Sequence, residues 1–316
     1  MFERIIIGVS SCLLGNNVRY NGGHKLSRYV RDTLGRFFDF VPVCPEVECG
    51  LPIPRETMRL VGDPEKPRLQ TSRSGIDHTE KMRSWASRRI KELEAENLCG
   101  FIFKKDSPSS GMQRVKVYNE KGMPHPVGSG IFAKAFMDHF PRIPVEEEGR
   151  LNDPKLRENF IERIFALKRW RKVLAQRKAL GRLVEFHTCE KMLLMSHSPQ
   201  HYRAMGKLVA RGRELSLKEL YETYEKEFMA ALALKTTTAK NMNVLQHILG
   251  YFKKNLSADE KQELLEIIAN YRKGHIPLVV PITLINHFVR KYQQPYLARQ
   301  TYLTPHPIDL QLRNHC

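Results

Sequence analysis

Val43-Cys44-Pro45-Glu46-Val47-Glu48-Cys49-Gly50-Leu51-Pro52-Ile53-Pro54-Arg55 sets two thiols, two carboxylates and an arginine among three prolines and a glycine. Each proline fixes its own φ and pushes the residue before it toward extended geometry, so the segment reads as a stiff loop that holds its polar groups in place. The run before it, Phe38-Asp39-Phe40-Val41-Pro42-Val43, reads as a strand ending at Cys44. A thiol and a carboxylate on a rigid loop at the end of a strand suit a site better than a core. The alternative is a proline-rich connector with a buried cysteine.

The same arrangement recurs on either side. Ile5 to Ser10 is a short apolar run of β-forming residues, followed directly by Ser11-Cys12-Leu13-Leu14-Gly15. Ser27 to Leu34 reads as a helix stopped by Gly35. After a polar link from Gly62 to Ser74, Asp77 to Glu96 is predicted helical, with Met82, Trp85, Ala86, Ile90 and Leu93 on one face. A third strand, Leu98 to Phe103, runs into Lys104-Lys105-Asp106-Ser107-Pro108-Ser109-Ser110-Gly111. Val115 to Tyr118 reads as strand and Gly128 to Phe136 as helix. Alternating strands and helices predict an α/β domain with a parallel, Rossmann-like sheet. Ligands of such sheets bind outside the carboxyl ends of the strands. Cys12, Cys44-Pro45-Glu46 and Ser107 to Gly111 each fall just past such an end, so three distant motifs are predicted to converge.

Beyond Pro141 the pattern changes. Residues 143–152 read as a linker between a first domain, 1–142, and an all-α second domain, 153–316, of six or seven helices. Asp153-Pro154 and Ser198-Pro199 place a capping residue before a proline at the first helical position. Ser216 to Glu219 and Ser257 to Glu260 have the spacing of capping boxes.

The 316 residues carry a net charge of +18, unevenly placed. Residues 1–150 hold 24 Lys and Arg against 19 Asp and Glu, whereas 151–316 hold 28 against 15. An excess of +13 in one half predicts a polyanionic partner, since neutralising phosphates releases counterions. Basic residues cluster with aromatic ones at Lys168-Arg169-Trp170-Arg171-Lys172, around Tyr202, Arg203 and Lys207, and at Tyr251-Phe252-Lys253-Lys254. That mixture suits phosphate contacts with base stacking, although each cluster alone also fits a solvated helix face. Six cysteines scattered through a long chain, with no C-x-x-C pair, are not a secreted disulfide framework. The start of the chain turns polar too quickly for a signal peptide, and no apolar run spans a membrane, so a cytoplasmic protein is expected. The twelve histidines show no zinc spacing.

Ser11 to Gly15, Cys44-Pro45-Glu46 through Gly50-Leu51-Pro52-Ile53-Pro54-Arg55, and Phe103 to Gly111 together resemble the thiouracil desulfidase (TudS-like) domain. The second half resembles the YbgA-type domain through Phe186-His187-Thr188, Met195 to Pro199, Asn243 to His247, Gly250 to Lys254 and Leu303 to Pro307. The two domains in this order resemble desulfidases of 4-thiouridine in tRNA. The resemblance implies a non-redox desulfuration on a 4Fe–4S cluster held by three cysteines, with thiolated tRNA as partner. Glu46 would then activate water or shuttle protons, and Ser107 would position the substrate. Lys104, Lys105, Arg169, Arg171, Lys172, Arg203, Lys207, Lys253 and Lys254 are candidates for RNA contacts.

Cys12 and Cys44 match two ligand positions of that family, but Ser110 stands where the family carries the third cysteine. Cys49, an extra thiol in the same loop, is a candidate replacement. Otherwise Ser110 ligates through oxygen, or the cluster is lost. There are two rival readings: a desulfidase of free thiouracil, for which the basic half is superfluous, and a nucleic-acid-binding protein with a degenerate cluster site. Cys99 and Cys189 read as small core residues. His187, His197 and His247 fall in the YbgA-type motifs without an assigned role.

Overall fold

The computed structural model describes residues 4–315. In chain order its first half contains β1 (Ile5–Ser10), β2 (Phe38–Val43), α1 (Pro45–Glu48), β3 (Met58–Val61), β4 (Arg68–Thr71) and α2 (Thr79–Glu94). Then come β5 (Phe101–Phe103), β6 (Val115–Tyr118), β7 (Pro124–Gly128), α3 (Ile131–His139) and β8 (Val145–Glu147). The chain divides into two units after Asp153.

The main sheet of the N-terminal unit is parallel, in the order β2-β1-β5-β8. β1 pairs with β2 along its whole length, from Ile5 opposite Phe38 to Ser10 opposite Val43, and with β5 on its other edge. Its burial on both faces explains the unbroken apolar run rather than an alternating one. On one face Trp85 of α2 and Phe132 and Phe136 of α3 pack with Phe101 and Phe103 of β5. The Trp85–Phe132 and Phe101–Phe136 ring centroids lie 5.3 and 4.8 Å apart. Gly8 is required there, because the Phe101 ring occupies the space a Cβ would need.

A second sheet, in the order β4-β3-β6-β7, is not expected from the sequence. Val115–Tyr118 belongs to it rather than to the parallel sheet, and the supposed polar link contains β4. The signal is weak because each strand is only four or five residues long. The expected helix over Ser27–Leu34 is a π turn, Tyr29–Thr33, followed by a 3-10 turn, Leu34–Arg36. With only Val30 and Leu34 buried, the segment has too narrow an apolar face to hold a longer α-helix.

The stretch 143–152 is not a linker. β8 closes the edge of the parallel sheet, pairing Phe101 with Val145 and Phe103 with Glu147. An acidic run suggests solvent, yet each carboxylate has a partner. Glu146 takes the Arg150 guanidinium, Glu147 accepts the Met112 N–H at 2.9 Å, and Glu148 accepts the Lys105 N–H at 2.7 Å.

The C-terminal unit is helical: α4 (Pro154–Leu174), α5 (Leu180–His197), α6 (Pro199–Ala210), α7 (Leu217–Ala233), α8 (Thr238–Tyr251), α9 (Ala258–Arg272), α10 (Val279–Lys291) and the short α11 (Pro295–Ala298). Ser198 and Ser216 cap α6 and α7, and Ser257 with Glu260 forms a full capping box on α9. Trp170 is fully buried against Phe186, Tyr221 and Tyr224, and Phe252 is buried beside Phe288. These two rings, whose basic neighbours suggest stacking on bases, are therefore core. A buried polar network joins His197 to Glu162 at 2.9 Å and to the Leu234 carbonyl at 2.6 Å. Burial alone would raise the Glu162 carboxyl, but the His197 hydrogen bond and the Arg313 charge hold it below the ordinary range.

The start of α3 anchors the Ser107–Gly111 turn. The N–H groups of Gly130, Ile131 and Phe132 donate to the carbonyls of Gly111, Pro108 and Ser109. A Cβ on Gly130 would sit 2.6 Å from the Ser109 carbonyl oxygen and the Ser110 nitrogen. Gly130→Ala is therefore expected to lower stability by about 1–3 kcal/mol, measured by thermal melting. An unchanged melting temperature would show that the turn moves freely from α3.

Candidate active site

β1, β2 and β5 end side by side, and at their carboxyl edge lies a cavity of about 410 Å³. Cys12, Cys44, Glu46, Arg55, Ser107 and Ser110 are among the residues that wall it. The order β2-β1-β5 reverses the direction of travel at β1, which is the crevice where parallel sheets bind ligands. The three motifs expected to converge do line one cavity.

Cys12 sits in a 3-10 turn, Ser11–Leu14, that starts where β1 stops. Cys44 is the extended residue before α1, with Pro45 at the first helical position, and its N–H donates to Glu48 at 2.7 Å. The expected loop thus begins as one helical turn. Ser107 orders its own turn by accepting the N–H groups of Ser109 and Ser110 at 3.4 and 3.1 Å.

Both oxygens of Glu46 are fixed. Oε2 accepts from Arg55 Nε at 3.0 Å and also from its Nη2. Oε1 accepts from Ser109 Oγ at 3.0 Å, and Ser109 Oγ lies 3.0 Å from Ser107 Oγ. Arg55, nearly inaccessible, also donates to the carbonyls of Val18 and Pro52. Sequence reasoning does not single out Ser109 and gives Arg55 no role. The available signal is an arginine and a carboxylate in one proline-stiffened stretch, which burial obliges to pair.

The thiols of Cys12 and Cys44 are both pushed up to about 11. Burial is the main cause for each, and for Cys12 the neighbouring Cys44 adds to it. Cys49 does not belong to this group. α1 carries the chain one turn onward, where Cys49 Sγ donates back to the Glu46 carbonyl at 3.2 Å, and Cys49 is not among the residues walling the cavity. Of the four positions expected to ligate, Cys12, Cys44 and the buried Ser110 share the cavity. Among the described residues, no three His, Cys, Asp or Glu side chains gather as a metal site. Cys99 is buried next to β5, as expected. Cys189 is half-buried beside Arg299 rather than in the core. Cys316 lies outside the described residues.

The basic candidates separate. Lys104 and Lys105 wall the cavity, but Lys104 Nζ is held by Glu148 and the Lys105 carbonyl. Arg169 is closed to phosphate, because its fork grips Glu190 at 2.6 and 3.0 Å and the Pro305 carbonyl at 3.0 Å. Arg171 and Lys172 lie in the last turn of α4. Arg203 and Lys207 line a groove on α6, and Lys253 and Lys254 are exposed after α8. His187 is buried with Nδ1 3.2 Å from the Tyr224 hydroxyl, and burial lowers it to about 4. His247 is exposed. Among the described residues no helix is long and apolar enough to cross a membrane.

Comparison with known proteins covers both halves. Residues 7–148 match the family described as 2-thiouracil desulfurase, and residues 191–307 match one described as a protein of unknown function, DUF1722. The uncharacterized protein YbbK of Bacillus subtilis (strain 168) is 32% identical over 154 residues, covering 47% of this chain and 99% of YbbK. The uncharacterized protein YbgA of Escherichia coli (strain K12) is 28% identical over 165 residues, covering 52% of this chain and 98% of YbgA. A solved [4Fe-4S]-dependent thiouracil desulfidase, TudS, is 32% identical with a TM-score of 0.39, covering 48% of this chain and 95% of that one. The chain belongs to the 2-thiouracil desulfurase family through its N-terminal half, joined here to a YbgA-type C-terminal half.

Proposed function

We propose that this protein removes sulfur from 4-thiouridine in tRNA, releasing sulfide and leaving uridine. The observation that carries the reading is Glu46, a carboxylate with both oxygens fixed, facing two thiols across one cavity. The +13 charge of residues 151–316 supports RNA as the carrier of the thionated base.

Cys12, Cys44 and Ser110 would hold a 4Fe–4S cluster. Their donor set fits one with two thiolates and one serine oxygen, since all three face the same cavity from three strand ends. When bound, such a cluster supplies a soft Lewis acid for the thione sulfur. The chain's own residues supply the rest. Glu46 Oε1 takes the proton of the water that attacks the ring carbon. Ser109 Oγ and Ser107 Oγ, each 3.0 Å from the next group in the relay, pass it toward the leaving sulfur. Water adds its oxygen to the ring carbon, the carbon–sulfur bond breaks, and both protons leave with the sulfide. Arg55 keeps the carboxylate aimed at the cavity.

Three outcomes test this. Iron-loaded protein incubated with 4-thiouridine-containing tRNA is expected to bleach the near-ultraviolet thione band and release sulfide. Turnover of free thiouracil but not of tRNA would favour the free-base reading. RNA binding with no iron retained would favour the binding-protein reading, which the Ser110 hydroxyl motivates. Glu46→Gln and Ser107→Ala are each expected to lower turnover by about 10²–10⁴-fold with iron content unchanged.

Metal loading should depend on pH. Thiols raised to about 11 are almost wholly protonated near neutrality and must lose their protons to bind metal. Iron uptake by metal-free protein is therefore expected to accelerate as pH rises from 7 to 9, followed by the visible absorbance of the cluster. A pH-independent rate would show that thiol deprotonation does not limit assembly.

A further inference from the structure

Two features of the C-terminal unit play no part in the desulfuration chemistry, the first of them on α6. On one side lies an open groove of about 600 Å³ walled by Ser198, Gln200, Arg203, Lys207 and Lys240, with no acidic residue on its walls. Lys240 Nζ is tied to the carbonyls of His197 and Lys235. Arg203 and Lys207 sit one turn apart, exposed, and neither has a carboxylate partner among the described residues. Two uncompensated cations on a helical step form an anion track.

The residue next to Arg203 leads to the second feature. Tyr202 lies close enough to Tyr296 of α11 to influence its hydroxyl electrostatically, and Tyr296 stacks on Tyr251 of α8. The two rings are nearly parallel, at 17° with centroids 4.9 Å apart. Tyr251 remains 37% exposed, with His247 edge-on at 5.5 Å. Arg299 flanks Tyr296, further along the chain, held by Glu185 at 2.7 Å. A stacked aromatic pair, partly open to solvent, is a surface on which a planar base stacks.

We propose that the C-terminal unit reads an unpaired stretch of RNA. Phosphates track along Arg203 and Lys207, and one extruded base stacks on the Tyr251–Tyr296 pair. This rests on RNA being the partner in the proposed function. It goes further by naming the form of RNA. Bases inside a duplex are already stacked and cannot reach a side-chain platform, so a loop or single strand is selected.

The test uses the full-length protein and fluorescence anisotropy of a labelled single-stranded oligoribonucleotide, compared with the same strand in a duplex. The single strand is expected to bind more tightly. Tyr251→Ala is expected to weaken single-strand binding by about 10-fold, and Tyr251→Phe, which keeps the ring, to restore it. Arg203→Gln with Lys207→Gln is expected to flatten the dependence of log affinity on log salt by about 1.4. Circular dichroism checks that each variant is folded. Equal binding of duplex and single strand, or an unaltered affinity in folded Tyr251→Ala, would overturn the platform while leaving RNA as the partner. Absence of binding to either RNA would overturn both readings.

Discussion

β1 is hydrogen-bonded along both edges, and that constraint sets the site. A strand flanked by parallel neighbours must have the carboxyl ends of β2 and β5 beside its own. The segments leaving these three strands are then forced into one place: a cysteine turn after β1, a cysteine and a helical turn after β2, a serine turn after β5. Only short connections separate these residues from hydrogen-bonded backbone, so the cavity inherits the rigidity of the sheet. α3 adds a second restraint, because its first N–H groups hold the serine turn by its carbonyls.

Within that frame the charges are arranged by burial. Glu46 is enclosed, and the cost of enclosing a carboxylate is offset by a guanidinium that is itself nearly inaccessible. At the thiols nearby burial outweighs the neighbouring cations, Lys104 and Arg19 for Cys12 and Arg55 for Cys44, and their protonated forms are favoured. Glu46, Cys12 and Cys44 thus meet in one cavity, the carboxylate fixed by its partners and the thiols kept protonated by burial.

The C-terminal unit divides its basic residues between two tasks. Arg169 and Arg313 are turned inward to neutralise Glu190, Glu158 and Glu162 between helices. Arg203 and Lys207 remain outside, with no carboxylate partner among the described residues. The aromatic residues divide in the same way, with Trp170 and Phe252 in the core and Tyr251 at the surface. Net charge alone therefore overstates what is available to a polyanion.

The amino-acid sequence alone determined the order of the main strands and helices, the parallel sheet, the helical second half, and the three motifs at strand ends. These rest on local periodicity, caps and proline positions, which act over a few residues. Tertiary structure decided what depended on partners distant in the chain. Glu147 and Glu148 look like solvent-exposed linker because their partners, the N–H groups of Met112 and Lys105, lie 35 and 43 residues away. Cys49 looks like a third ligand because it is close to Cys44 in sequence, but one helical turn carries its thiol out of the cavity wall. Ser109 gains a role only when folding carries it to Glu46, 63 residues away. Spacing along a chain fixes which way a side chain leaves its own element; which groups it meets is fixed only when the elements pack.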